Sequence, residues 1–403
     1  MHATLLELTD FRSYPSVTLS LHPGINVILG RNGQGKTNLI EAIGYLATLG
    51  SHRVATDAPL VRSGAATALL RLQVDAAGRS TLLELAIEPG KAKRARINRS
   101  PVPRAAAILG IARVVTFAPE DLALVKGDPT ERRRFLDDLL VQQRPLLAST
   151  RADYERVLKQ RNALLRSTSV ARRSAGAEVD RTLAVWDEQL AELGATLTAA
   201  RIRLVQDIEQ PAVDAYSEIS GPSVTEPADS STQLSLRYVS AVERWLDRPD
   251  VPVDLPTEVE PWRAALLSAI ADRRREEMDR GVTLVGPQRD DLELRLGDQP
   301  AKGYASHGES WSIALALRLA CYRLLAATGE DPILVLDDVF AELDARRRSR
   351  VVQMVREAEQ VIITAAVAED VPAGLDGHRF EVTTGRVTVG QLTTGVLTEG
   401  SVQ

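Results

Sequence analysis

Cysteine is nearly missing: Cys321 is the only one in 403 residues, which excludes an intrachain disulfide framework and a cysteine-based zinc site. Aromatic residues make up 4%, too few for a platform on which single-stranded bases stack. The five histidines, His2, His22, His52, His307 and His378, are scattered without metal-ligand spacing. No apolar run approaches the ~20 residues that a membrane span needs. Residues 1–10 lack the basic and apolar regions of a secretory signal. A cytosolic chain with no membrane partner is therefore expected. Charge of one sign is also lacking, since 49 basic against 54 acidic residues leave a net charge of −5. No global positive field draws the chain to nucleic acid, so any such contact must come from a local basic patch. What remains is 44% apolar and 26% charged, ordinary for a globular chain, with length for two domains or one large head with an insertion.

Periodicity divides the chain into three. Strands are expected over 4–9 and 17–29 around a turn at Ser13, Tyr14 and Pro15, then a helix over 39–49. Residues 66–99 alternate as half-buried antiparallel strands do, and a short strand over 113–117 ends at Ala118, Pro119, Glu120 and Asp121. From about 130 to 280 the pattern is helical. Leu183, Trp186, Leu190, Leu193, Leu197, Ala200 and Leu204 recur three and four apart, as in a coiled-coil seam. Leu147, Tyr154, Val157, Leu158, Leu164 and Leu165 offer a looser face upstream. A turn over 167–177 would make the two an antiparallel hairpin, and 221–232 and 247–261 read as loops. Beyond this, strands are expected over 282–285, 292–296, 333–336 and 361–364, with helices over 310–327 and 346–357. That alternation implies a mostly parallel sheet. The expected division is 1–130 and 281–403 as two parts of one α/β head, with 131–280 as a helical insertion.

Gly30, Arg31, Asn32, Gly33, Gln34, Gly35, Lys36 and Thr37 match the phosphate-loop pattern G-x-x-x-x-G-K-[ST]. Glycines let the backbone curl so that its N–H groups face phosphates, with the N-terminus of the next helix behind them. Lys36 would reach the β- and γ-phosphates of ATP, and Thr37 would bind Mg²⁺. The apolar run Ile333, Leu334, Val335, Leu336 delivers Asp337 and Asp338. Asp337 would hold the metal and Asp338 would orient or deprotonate the attacking water. About 300 residues separate the two motifs, so they must meet in one sheet across the helical insertion.

Ala305, Ser306, His307, Gly308 and Glu309 stand before the 310–327 helix and resemble the signature motif of ABC-type ATPases. Further motifs occur in a characteristic order: Phe11-Arg12-Ser13-Tyr14, the phosphate loop followed by Asn38-Leu39-Ile40-Glu41, Phe117-Ala118-Pro119-Glu120-Asp121, Arg133-Arg134-Phe135-Leu136-Asp137, Gly286-Pro287-Gln288-Arg289-Asp290-Asp291, and Leu336-Asp337-Asp338-Val339-Phe340-Ala341-Glu342-Leu343-Asp344. In this order, over nearly the whole chain, they resemble the RecF family, bacterial DNA recombination and repair proteins that are compact relatives of the SMC ATPases. The resemblance implies an ABC-type head whose ATP is bound by Arg12 and residues 30–37 and capped in trans by Ser306, Gly308 and Glu309 of a second subunit. Asp344 would lie in a D-loop across that dimer. It further implies a homodimer on duplex DNA, at gaps or junctions, acting with RecR and RecO to load RecA in the SOS response. Asp338 stands where many ABC ATPases carry glutamate, and Ile363-Thr364-Ala365-Ala366 holds the place of the switch histidine, so weak, DNA-stimulated hydrolysis is expected.

Lys91, Lys93, Arg94, Arg96, Arg99 and Arg104 concentrate positive charge in the early β region. They read as a sequence-tolerant contact to DNA phosphates or as a solvated hairpin edge. Three other readings stay open. A transporter subunit would place its signature roughly 100 residues after the phosphate loop and carry a switch histidine, whereas here Ser306 lies 270 residues beyond Lys36. A nuclease-bearing relative would need more than the short tail after Asp344, and a clamp using ATP only structurally would show no turnover.

Overall fold

Period-two alternation lays down the first part of the chain, and the computed structural model shows how far each run extends. It describes residues 1–170, 177–221, 233–246, 255–375, 377–383 and 386–389. The 171–176, 222–232 and 247–254 parts of the expected turn and loops lie outside them. In chain order the elements begin with β1 (His2–Phe11), β2 (Tyr14–Ser20), β3 (Gly24–Leu29), α1 (Lys36–Thr48), β4 (Ala68–Ala76), β5 (Arg79–Ile87), β6 (Arg94–Ile97), β7 (Ser100–Pro101) and β8 (Val114–Phe117). The helices α2 (Leu122–Lys126), α3 (Pro129–Gln143), α4 (Leu147–Val170) and α5 (Ala177–Ser220) follow. Next come β9 (Leu234–Val239), α6 (Val259–Arg280), β10 (Asp291–Leu296), β11 (Gln299–Pro300), the single turn α7 (Ala301–Tyr304) and α8 (His307–Ala326). The last elements are β12 (Ile333–Asp337), α9 (Ala345–Val355), β13 (Gln360–Ala365), β14 (His378–Thr383) and β15 (Arg386–Val389).

The chain forms two compact units, residues 1–119 with 326–403, and residues 120–325. In the first unit, β2-β1-β4-β5-β6-β7 make an antiparallel sheet whose inward residues, Leu6, Leu8, Leu70, Leu72, Leu83 and Leu85, are all buried. The other sheet has the order β15-β14-β3-β13-β12-β8 and is parallel except at β15. Helix α1 places Leu39, Ile40, Ile43 and Leu46 in one core with residues of both sheets. Every residue of β12 and β13 is buried. Such strands are covered on both faces, so they appear in sequence as unbroken apolar runs rather than alternating ones. The stretch expected as one strand over 17–29 is split, because Gly24 adopts φ 78° and turns the chain from the first sheet into the second.

The second unit is helical with a small sheet, β11-β10-β9. Arg161 of α4 meets Asp187 of α5, and Tyr154 lies against Gly194. One helix retreats as the other advances, which is the antiparallel hairpin register. Along α5, Leu183, Leu190, Leu197 and Leu204 are buried, whereas Trp186, Leu193 and Ala200 are half-buried. The buried stripe extends to Ala191, Ala195, Ile202 and Val205 because α6 packs on α5 as well as α4 does. Three helices therefore share what reads as a two-helix seam.

Their junction holds a buried guanidinium. Arg161 is 0% exposed and bonds Asp187 at 2.8 Å, Glu277 of α6 at 2.6 Å and Thr283 Oγ1 at 2.7 Å. Asp187 also pairs with Arg274, but removing Arg161 takes the guanidinium from buried Glu277, so Arg161→Ala should destabilise this unit by about 3–5 kcal/mol. Urea titration followed by circular dichroism measures this; an unchanged midpoint would show that the network contributes no net stability.

One expectation is corrected here. Residues 282–285 are not a strand. The Thr283 N–H goes to Asn162 Oδ1 at 2.7 Å and the Leu284 N–H to Glu277 Oε1 at 2.7 Å, so side chains take the donors that a ladder would need. The second compact unit runs from residue 120 to 325, and its flanks are bonded to the helical middle. Arg201 clasps Asp137 at 2.8 and 3.0 Å and donates to the Pro287 carbonyl at 2.8 Å. Buried Asp290 accepts from Tyr238 Oη at 2.6 Å and the Ala241 N–H at 2.7 Å. Asp291 pairs with Arg132 through two bonds of 2.7 and 2.9 Å. Most of the Gly286–Asp291 motif is thus spent on holding this unit together. Among the described residues no helix is long and apolar enough to cross a membrane.

Candidate nucleotide site

Strands β3, β13 and β12 end level with one another. Leu29 pairs with Ala365, and Thr364 pairs with Asp337. In open α/β sheets the carboxyl ends of the strands form the ligand crevice. The eight-residue loop Gly30–Thr37 leaves β3 there and enters α1. Its curl depends on glycine at two places. Gly33 and Gly35 have φ 82° and 111°, and a Cβ on Gly35 would lie 2.7 Å from the Tyr14 hydroxyl. Gln34 stiffens the loop by accepting the Arg31 N–H at 2.9 Å through its side chain, while its own N–H reaches the Arg31 carbonyl at 3.2 Å.

Lys36 is 4% exposed. Its ammonium donates to the Gly30 carbonyl at 2.7 Å, lies 3.5 Å from Asn32 Oδ1, and stands 3.9 Å from Asp338 Oδ2. Thr37 Oγ1 is 3.5 Å from Asp337 Oδ1. Two motifs 300 residues apart thereby supply adjacent hard oxygen donors, the set that Mg²⁺ takes beside a triphosphate. The donor chemistry fits that ion, with Thr37 and Asp337 as the residues that would hold it.

Arg12 is placed differently from a simple phosphate contact. It makes two bonds to Glu41 of α1, at 2.8 and 2.6 Å, and one to the Pro59 carbonyl at 3.0 Å. Three of its five N–H groups are thus engaged. Burial pushes the Glu41 carboxyl up, but hydrogen bonds from Arg12 and Ser51 outweigh it and leave it below the usual range. Arg53 joins the cluster, 3.3 Å from Glu41 and 3.0 Å from Asn38 Oδ1, while Asn38 also donates to Ser13 Oγ at 2.9 Å. Residues 12–13, α1 and residues 51–53 are locked behind the phosphate loop. Ser51 and Arg53 carry no motif of their own, and the motif that contains Glu41 does not say which cations it holds. Thr364 is the other omission; its hydroxyl bonds Asp337.

Within the second unit, Ser306 and Glu309 form a capping box at the start of α8. The Ser306 N–H donates to Glu309 Oε2 at 2.7 Å, and the Glu309 N–H donates to Ser306 Oγ at 3.3 Å. Glu309 is the N3 acid that Ser-x-x-Glu specifies, a signal present in the sequence. His307 accepts from Trp311 Nε1 at 3.0 Å, and Gly308 is half-buried in the first turn. Asp344 caps α9, accepting the Arg347 N–H at 2.9 Å. That bond, together with the Arg347 side chain, holds its carboxyl below the usual range.

The basic patch divides. Lys93 turns inward to Asp57 at 3.1 Å and the Leu49 carbonyl at 3.2 Å, and Lys91 pairs with Glu88. Arg94, Arg96, Arg99 and Arg104 are exposed, as is Lys91 beside its partner Glu88, so Lys93 is the member of the patch that turns inward.

With this geometry in place, the relatives can be compared. A family model described as the RecF/RecN/SMC N terminal domain matches residues 3–376. DNA replication and repair protein RecF of Streptomyces avermitilis is 54% identical over 388 residues, covering 96% of this chain and 99% of its own. The protein of that name from Kineococcus radiotolerans is also 54% identical, over 395 residues, with 96% and 98% covered. A solved structure of the recombination mediator protein RecF with ATP, described within the RecFOR pathway, has a TM-score of 0.84 at 26% identity, covering 97% and 98% of the two chains. The Smc head domain of Pyrococcus furiosus, at TM-score 0.51 and 17% identity over 96% of each chain, shares the fold alone. The architecture is that of an ABC-type ATPase head, and the chain belongs to the RecF family.

Proposed function

We propose that this protein is an ATP-dependent DNA-binding factor of recombinational repair and replication, dimerising on DNA when ATP is bound. The observation that carries the reading is the convergence of Thr37 with Asp337 and of Lys36 with Asp338 at one sheet edge. Residues 30–37 hold the triphosphate, Lys36 neutralises its β/γ charge, and Thr37 with Asp337 holds the Mg²⁺ that offsets charge on the phosphates. Asp338 orients or deprotonates the attacking water. Arg12 reaches phosphate through its remaining N–H groups. Ser306, Gly308 and Glu309 cap the nucleotide of a second copy, with Asp344 across the same interface. Arg94, Arg96 and Arg99 meet duplex phosphates without reading bases, with Lys91 and Lys93 at the margin of that patch.

Hydrolysis is slow and DNA-stimulated, because aspartate stands for glutamate at 338 and Ile363-Thr364-Ala365-Ala366 holds the place of the switch histidine of many ABC ATPases. ATP turnover then releases the dimer, as a timer does. In the cytoplasm the protein works at single-strand gaps or junctions with RecR and RecO to load RecA during the SOS response. The RecF name of its relatives and the RecFOR setting of the solved structure support this part. Light scattering with ATP, ADP or no nucleotide, each with and without duplex DNA, tests the scheme. ATP should double the mass, and Ser306→Arg should abolish that doubling while leaving ATP bound. Nucleotide-driven association surviving in Ser306→Arg would refute the in-trans cap.

A further inference from the structure

The end of β13 carries a hydroxyl to which none of these roles is given. Thr364 is 1% exposed and lies in register with Asp337, on a strand flanked by β3 and β12. Its Oγ1 bonds Asp337 Oδ1 and accepts the Asp338 N–H at 3.0 Å, while its carbonyl takes the same N–H at 3.3 Å. An amide N–H can only donate, so the hydroxyl oxygen accepts from Asp338 and its own proton points at Asp337. The chain therefore runs Asp338 N–H to Thr364 O–H to Asp337 carboxylate.

Both ends of this chain need holding. Asp338 has φ 49°, a left-handed conformation that is uncommon outside glycine and persists only where the surroundings determine it. Its side chain is 32% exposed and faces Lys36 Nζ at 3.9 Å, so the peptide N–H, rather than packing, is its firmest tether. Asp337 presents the same Oδ1 to Thr37 Oγ1, 3.5 Å away. One buried hydroxyl thus rotates the metal-side carboxylate and pins the peptide that aims its neighbour. The β-branched side chain, restricted at χ1, suits that task.

We propose that Thr364 is a positioning residue for ATP hydrolysis, coupling the orientation of Asp337 to that of Asp338. This rests on the reading of those two acids given above. ATP binding without metal does not involve the hydroxyl, whereas metal-dependent binding and turnover do. Thr364→Val keeps the shape of the side chain and removes the two hydroxyl bonds, leaving the Asp338 N–H only the Thr364 carbonyl at 3.3 Å; Thr364→Ser keeps the hydroxyl bonds.

The test compares wild type, Thr364→Val, Thr364→Ser and Lys36→Ala. It measures binding of a fluorescent ATP analogue in EDTA and across a Mg²⁺ titration, steady-state hydrolysis, and thermal unfolding. In EDTA, Thr364→Val should bind nucleotide as wild type does. Its kcat should fall by about 10–100-fold with little change in KM, as misplacement of catalytic groups produces. The Mg²⁺ concentration for half-maximal binding should rise, and Thr364→Ser should restore both. Wild-type kcat in a folded Thr364→Val, or a Thr364→Ser as slow as Thr364→Val, would overturn the assignment. Lys36→Ala separates the two levels of the argument. If it binds nucleotide normally, the site reading itself fails; if it loses binding while Thr364→Val turns over normally, only the positioning role falls.

Discussion

Lys36→Ala should bind ATP at least about 100-fold more weakly than the parent protein, a loss of roughly 2.7 kcal/mol. The ammonium is the buried side-chain cation of the loop, at 4% exposure and fixed by the Gly30 carbonyl at 2.7 Å, whereas Arg31 is exposed. A triphosphate in this loop would set its β/γ charge beside that cation, and charge-assisted bonds of this kind are about twice as strong as neutral ones. The backbone N–H groups remain, so a residual affinity is expected rather than none. Fold should be retained, because the Lys36 partners are a carbonyl and the partly exposed Asp338. Equilibrium binding of a fluorescent ATP analogue measures the effect. Normal affinity in a folded Lys36→Ala would remove residues 30–37 from the nucleotide site.

Asp338→Asn should lower turnover by about 10²–10⁴-fold while ATP and Mg²⁺ remain bound, so that the dimer accumulates. The amide matches the carboxylate in size but cannot take a proton from water. It also fits the backbone, since asparagine tolerates the left-handed conformation held at φ 49°. Asp337 is untouched and still presents its oxygen to Thr37 at 3.5 Å. Rapid hydrolysis, or a monomer in the presence of ATP, would reject Asp338 as the group that acts on water. Paired with Lys36→Ala, this variant separates binding from chemistry: one loses the nucleotide, the other keeps it and stalls.

Legibility followed the range of the interactions concerned. The loop at 30–37, the run ending in Asp337 and Asp338, and the helix α8 could each be read from a contiguous stretch, because glycine placement, burial on both faces and helix capping act locally. Arg12 shows where that stops. Its turn position was readable, but its partner Glu41 lies 29 residues on and is charged like dozens of other acids. Lys93 is a similar case. It reads as one of six basic residues, yet its contact with Asp57 at 3.1 Å depends on where the segment after α1 returns. The seam on α5 had the right period and a third partner that periodicity could not name, because a stripe shows that a face is covered and not by how many helices.

From its residues alone the chain determined a loop of the phosphate-loop pattern, a strand ending in two acids, and a helical stretch between them. These follow from local geometry and from hydrophobic periods of two and 3.6 residues. Only the tertiary structure decided that the Gly286–Asp291 stretch belongs with the helical unit, that Arg12 is clasped by Glu41, and that Thr364 joins the two acids. Each of those turns on a buried polar group, Asp290, Glu41 or Thr364, whose partner is distant in sequence. A buried polar group must find a partner, but its own sequence neighbourhood does not say which one.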